Sequence, residues 1–211
     1  SKLATTFINT FVAMGIFGVF IQIQQFISTT ITKAVESVKN LEIAFSNLGN
    51  ATRAMRDSGI DVTFKDFEAI IDRISVKFKG MFSKTELTDA TADIAIAVKD
   101  LGWGAVEVEK LLQVIAAIKL RTPGETMKDV SASSITTVLS GRTQSMQKMG
   151  IAANELTVRE KALEMGLIKG TQALTANMKS LAILEIAYAS TKKEVEDLSK
   201  YTNTLSGAGA R

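Results

Sequence analysis

The chain is predicted to be all-α, with long coiled-coil-like helices at the N- and C-terminal ends flanking a compact bundle of short helices. Three observations predict this. Pro occurs once, at Pro123, in 211 residues rich in Ala, Leu, Ile, Lys, Glu and Met, and a chain with one helix breaker and many strong helix formers favours helix throughout. Apolar side chains recur every three to four positions at both ends, the period of a helix face. Between the ends, glycines at 59, 80, 102, 104, 124, 141, 150 and 166 fall at helix-sized intervals and read as stops. Three segments follow. Residues 1–48 form an apolar helix that is a possible membrane segment and coiled coil. Residues 49–170 form a compact helical domain, and residues 171–211 a long heptad helix with a Gly-rich, frayed end.

The first segment is uncharged from Leu3 to Thr32, with Lys2 and Lys33 on either side. That run exceeds the roughly 20 apolar residues that cross a bilayer. Thr5, Thr6, Asn9, Thr10, Gln22, Gln24, Gln25, Ser28, Thr29 and Thr30 interrupt it, so it is less apolar than a standard span. A signal peptide fits poorly, because the apolar part is long and no small-x-small site follows. Three readings stay open: a helix covered by copies of itself, a segment that inserts in a membrane conditionally, or a permanent anchor. Phe11, Val12, Ile16, Phe17, Val19, Phe20 and Ile21 carry the densest apolar surface and are the candidate membrane contacts. The chain opens on Ser1, as a processed product or an excerpt of a longer protein would.

A heptad runs through the same segment. Phe17, Gln24, Ile31, Val38 and Phe45 form one row, and Phe20, Ile27, Ala34, Leu41 and Leu48 the row three residues on. All but Gln24 are apolar, which predicts a coiled-coil or bundle helix over about residues 5–48, ended by Asn47-Leu-Gly-Asn50. Lys33, Glu36, Lys39 and Glu42 suit its solvated face.

The middle segment carries clear start signals. Thr63-x-x-Asp66 opens a helix with Phe64, Phe67, Ile70, Ile71, Ile74 and Phe78 on one side. Ser83-x-x-Glu86 is a capping box, in which hydroxyl and carboxylate satisfy free amides reciprocally, and Leu87, Ala90, Ile94, Ala97 and Val98 follow. Residues 105–121 repeat the pattern with Val108, Leu111, Leu112, Ile115 and Ile118. Thr122-Pro-Gly-Glu125 combines a cap, a first-turn Pro and a third-position Glu, opening a helix to Leu139 that Gly141 stops. The single Trp, Trp103, lies between Gly102 and Gly104 and is expected to anchor a loop in the core, with a partner-binding role as the minority reading.

The last segment has a second heptad. Leu174, Leu181, Tyr188, Val195 and Thr202 form one row, and Asn177, Leu184, Thr191, Leu198 and Leu205 the other. Polar seam residues such as Asn177, Thr191 and Thr202 cost stability but set register or oligomer number. A helix over residues 171–206 would extend about 54 Å. Ile31, Val38, Leu41, Phe45, Leu174, Leu181, Leu184, Tyr188, Val195, Leu198 and Leu205 are the candidate self-association residues.

One order of motifs runs through the chain. Phe82-Ser-Lys-Thr-Glu-Leu is followed by a helix, Gly102 and a second helix. Then come Leu139-Ser-Gly-Arg-Thr-Gln-Ser-Met-Gln-Lys-Met-Gly-Ile151, Glu160-Lys-Ala-Leu-Glu-Met-Gly-Leu167, and the long helix from Leu174-Thr-Ala-Asn-Met-Lys-Ser-Leu. In these motifs the chain resembles the core region of phage tail tape-measure proteins, over roughly residues 30–205. The family's long helix often carries Gly-Asp and Arg-Thr pairs where this chain has Thr191-Lys-Lys-Glu-Val-Glu-Asp-Leu198. The resemblance implies a segment of a longer structural protein that lies in the virion tail lumen, sets tail length and is ejected on infection into the host cell envelope. It implies as partners further copies of the chain (a homo-oligomer), tail-tube and tail-tip proteins, a tail assembly chaperone and, conditionally, the host membrane, where the chain would form a conduit for DNA. The rival expectation is a secreted helical pore-forming or effector protein.

Catalysis is not expected. The chain has no His and no Cys, which removes the commonest general base and metal ligand and the Ser-His and Cys-His arrangements. No catalytic, cofactor-binding or metal-ligating residue is assigned. Gly141-Arg-Thr lacks the spacing of a phosphate loop. Glu107 with Glu109, and Glu194 with Glu196 and Asp197, read as solvated helix faces. With 25 basic and 22 acidic residues, scattered without interleaved aromatics, a sequence-specific nucleic-acid partner is not expected.

Overall fold

A computed structural model describes the backbone of residues 32–208 and the side chains of residues 32–193, 195 and 196. These residues are helical, with no strand among them: α1 (32–57), α2 (Phe64–Lys77), α3 (Lys84–Val98), a short 3-10 turn (Lys99–Leu101), α4 (Ala105–Arg121), α5 (Met127–Leu139), α6 (Thr143–Lys148), α7 (Glu155–Glu164) and α8 (Ala176–Ala208). The all-α class therefore holds.

The chain divides into two units, Ser1–Ile43 and Ala44–Arg211. The expected boundary at 48/49 falls inside a helix, because α1 does not stop at Asn47–Asn50 but runs on to residue 57. A glycine inside a helix costs only about 1 kcal/mol, and the apolar stripe continues past Gly49. Ala44, Leu48, Ala51 and Met55 are all fully buried, and their burial outweighs one glycine. The helix ends where the Ile60 amide donates to the Met55 carbonyl at 3.0 Å and the Gly59 amide to Arg56 at 2.9 Å.

The capping boxes expected at α2 and α3 are formed. The Thr63 hydroxyl accepts from the Asp66 amide at 3.3 Å, and Asp66 accepts from the Thr63 amide at 2.7 Å. Ser83 and Glu86 do the same at 3.2 and 2.9 Å. Helix α4 is the centre of the second unit and packs on α2, α3, α5 and α8. Its residues 111–118 are buried without a break, the mark of a helix enclosed on every side. Gln113 lies among them, and its side-chain oxygen accepts from the Lys77 ammonium at 2.5 Å.

The start of α5 differs from the expectation. Thr126, not Thr122, is its N-cap. The Thr126 hydroxyl accepts from the Asp129 amide at 3.2 Å, and Asp129 accepts from the Thr126 amide at 3.2 Å. Thr122 instead closes α4, its hydroxyl donating to the Ile118 carbonyl at 3.2 Å. Thr122-Pro-Gly-Glu125 forms a turn closed by the Glu125 amide on the Thr122 carbonyl at 3.1 Å, which suits Pro and Gly in its central positions. Two Thr-x-x-acid patterns lay four residues apart, and the Pro-Gly pair draws the first into the turn.

The Gly-Ile and Gly-Leu steps of the family-like motifs are both helix ends. After α6, the Gly150 amide donates to Gln147 at 3.0 Å and the Ile151 amide to Met146 at 2.9 Å. After α7, Gly166 donates to Leu163 at 3.0 Å and Leu167 to Ala162 at 2.9 Å. Each pair satisfies two terminal carbonyls and needs a left-handed residue at the glycine; Gly150 and Gly166 have φ of +77° and +70°. The apolar residue after each glycine returns to the core.

Helix α8 packs on α4, α5 and α7. It starts at Ala176, five residues later than expected, with the Thr175 hydroxyl accepting from the Met178 amide at 3.2 Å. Gly207 lies within it, and Gly209 lies outside the described residues. Trp103 is buried and reaches this helix, its indole N–H donating to Asn177 Oδ1 at 2.8 Å. Asn177 Nδ2 in turn donates to the Leu101 carbonyl at 3.0 Å. The loop between α3 and α4 is thereby tied to the first turn of α8, and the expected core-anchoring role of Trp103 is what the structure shows.

Candidate self-association surface

The two apolar stripes meet different fates. On α1, Val35 and Val38 are 62% and 67% exposed and Ile43 is 49% exposed, while Leu41 and Phe45 are half-buried. Val38, Leu41 and Phe45 belong to the heptad seam, whereas Val35 and Ile43 project from other sides of the helix. From Ala44 onward the seam is buried in the second unit, where Phe45 meets Phe64 with ring centroids 5.9 Å apart. An apolar seam open to water calls for cover. Lys33, Glu36, Lys39 and Glu42 are exposed, as is every residue from 32 to 40. Ile31 and the candidate membrane contacts Phe11, Val12, Ile16, Phe17, Val19, Phe20 and Ile21 lie outside the described residues.

On α8 the stripe is covered within the chain. Leu184 is fully buried and Val195 nearly so, while Leu174, Leu181 and Tyr188 are half-buried and packed against the same core. Leu198 and Leu205 belong to α8, but their side chains lie outside the described residues. Two of the polar seam residues are satisfied within the chain. Asn177 is occupied by Trp103, and the buried Thr191 hydroxyl donates to the Ala187 carbonyl at 3.0 Å; the Thr202 side chain lies outside the described residues. Ser180, also buried, reaches the Leu139 carbonyl at 3.0 Å and so ties α8 to the end of α5. The physical reason is size: about 170 residues of short helices build a core large enough to absorb a stripe that a smaller bundle would leave bare.

Several charged groups serve structure. Glu107 accepts from the Gly104 amide at 2.8 Å and caps α4. Glu109 forms a two-bond pair with Arg73 of α2, at 3.0 and 2.6 Å, and this hydrogen bonding holds the Glu109 carboxyl below the usual range. Lys110 of α4 pairs with Glu185 of α8 and lies over the Tyr188 ring at 5.7 Å. Asp66 and Asp129 are also lowered, by the hydrogen bonds of their capping boxes. Asp89 and Asp93 go the other way. Desolvation raises both. The Asp89 charge adds to the effect at Asp93, while Asn47 and Lys128 moderate Asp89 and Lys128 moderates Asp93.

Among the described residues no three His, Cys, Asp or Glu side chains gather in a way that holds a metal ion, and no helix is long and apolar enough to cross a membrane. One cleft, of about 540 Å³, opens between the end of α4, α5 and α6. Sequence reasoning did not find it, because three separate segments bring its walls together and none carries a spacing that signals it. No protein-family model matches the chain, and neither a curated protein nor a solved structure matches it.

Proposed function

We propose that the chain is a non-catalytic structural segment of a phage tail tape-measure protein, which works by assembling with further copies through the apolar side of α1. The observation that carries this reading is the α1 seam itself, in which Val38 is exposed, Leu41 and Phe45 are half-buried and Leu48 is fully buried. Mutual cover of such rows between helices is the general solution for a heptad seam. The order of elements supports the family: capped helix pair, Gly-Arg to Gly-Ile segment, Gly-Leu helix end and long helix follow one another as in the resemblance. The absence of His and Cys from the sequence weighs against the commonest catalytic arrangements. Under this reading the segment lies in the tail lumen beside tail-tube and tail-tip proteins, is delivered by an assembly chaperone, and leaves for the host envelope on ejection. There the uncharged residues 3–32 would contact the membrane.

Analytical ultracentrifugation of the purified chain, with and without lipid vesicles, tests it. Association of the wild type, lost in a Val38→Glu variant of unchanged helicity, is the expected result. A wild type that stays monomeric at high concentration and ignores both lipid and detergent overturns the reading. A monomer that empties vesicles by itself identifies the secreted pore-former instead.

A further inference from the structure

The cleft between α4, α5 and α6 is built in a way that helix packing alone does not require. Its volume of about 540 Å³ falls within the roughly 300–1,000 Å³ typical of small-molecule sites. One end is apolar, formed by Ile118, Val130 and Met149. The remainder is rich in hydroxyls and cations, with Ser133, Ser134, Thr137 and Ser145 beside Arg121 and Lys148. Glu125 is the one acidic residue at its edge, so the lining carries a net positive charge of one.

Two details give the site a fixed wall. The Arg121 guanidinium donates to the Met149 carbonyl at 2.9 Å. It passes so close to Gly150 that a Cβ there would lie 2.8 Å from its nitrogen. The missing side chain at Gly150 thus leaves room for a cation held against the wall by a backbone bond. The Ser134 hydroxyl, on the α5 side, is buried without any hydrogen-bond partner. A buried unpaired hydroxyl carries a cost of about 1–3 kcal/mol, and rotation about χ1 offers it other staggered directions. Turned toward the cleft by such a rotation, it would donate to an acceptor bound there.

We propose that this cleft binds a small molecule with an anionic head, a carboxylate or a phosphate, on a short apolar body. The head sits among Arg121, Lys148 and the serine hydroxyls, and the body lies on Val130 and Met149. This site is independent of the assembly reading above, since it lies far along the sequence from Val38 and uses none of the seam residues of α1.

Calorimetric titration of the full chain with hexanoate, inorganic phosphate, hexanol and hexylamine tests it. Saturable binding of hexanoate, with phosphate binding more weakly and hexanol and hexylamine not at all, is expected. Lys148→Gln, at an exposed position, is expected to weaken hexanoate about 3–10-fold, as loss of a charge-assisted contact does. Ser134→Ala removes an unpaired hydroxyl and leaves folding intact or improved, and it is expected to weaken hexanoate by a similar factor. Phosphate as the tighter ligand also overturns it, because the apolar body would then add nothing. Equal binding of hexanol or hexylamine, no saturable binding of either anion, or indifference to both substitutions overturns the proposal.

Discussion

Helices α1 and α8 begin from the same sequence pattern, a 3.5-residue apolar seam with charges on the remaining faces, and end in different environments. On α8, Leu184 and Val195 are buried among α4, α5 and α7, and the polar seam residues Asn177 and Thr191 find partners within the chain. On α1 the stripe is buried from Ala44 to Met55, whereas Val38 faces solvent. A heptad states only that a helix needs a neighbour along one side. Whether that neighbour comes from the same chain is decided by how much other apolar surface lies within reach.

The sharpest way to break the contrast is to truncate matched positions. Leu184→Ala and Leu48→Ala each empty a fully buried site and are expected to cost about 2–5 kcal/mol in urea unfolding. Val38→Ala, at the exposed end of the α1 stripe, is expected to change the stability of dilute protein by less than about 0.5 kcal/mol. Its effect is expected in the concentration dependence of association. A large monomer destabilisation by Val38→Ala would mean that this stripe, like that of α8, is covered internally.

Next in size is Trp103→Phe. It keeps most of the buried ring but removes the donor to Asn177, and a loss of about 1–2 kcal/mol is expected. Thr126→Ala is expected to cost about 1 kcal/mol by removing the α5 cap. Thr122→Ala, which removes only a hydroxyl bond to the last turn of α4, is expected to cost less. The reverse order would restore Thr122 as the start of α5.

These substitutions also mark what was legible in the amino-acid order. Caps and periodicity act over three or four residues, and there the reading succeeds: the boxes at Thr63–Asp66 and Ser83–Glu86 and the apolar faces of α2, α3 and α4 are where the spacing puts them. It fails where two local signals compete, as at Thr122 and Thr126, or where burial overrides a local breaker, as at Gly49. The second heptad does not say what covers it: the cover for α8 comes from α7, α5 and α4, with bonds spanning 24, 41 and 75 positions, and no local pattern records those distances. The cleft beside Arg121 is invisible for the same reason. The glycine motifs that carry the family resemblance have a plain physical content as helix stops, so the weight of the resemblance lies in their order along the chain.

The smallest expected effect is a pH-dependent one. Desolvation raises the carboxyl groups of Asp89 and Asp93 on α3 above the usual range. A carboxyl raised in the folded state contributes stability that is present below its unfolded value and lost as pH rises through the folded one. Asp93→Asn is therefore expected to be more stable than wild type at neutral pH. The advantage shrinks as pH falls into the ordinary carboxylate range. The lowered groups Asp66, Glu109 and Asp129 act with the opposite sign, losing stability as pH falls, but they are common to both proteins and cancel in the difference. Paired urea titrations across that range read the effect directly, and an advantage that is constant or grows on acidification contradicts it.

The bond between Trp103 and Asn177 has a practical consequence. The only indole in the chain touches the first turn of α8, so its fluorescence is an intrinsic reporter for the docking of that helix. Release of α8 would strip the ring of its dry surroundings, shifting emission to longer wavelength and opening it to collisional quenchers, while α2 and α3 stay spectroscopically silent. No dye or engineered label is needed to follow, in real time, whether the long helix leaves its groove when the chain assembles or meets a lipid surface.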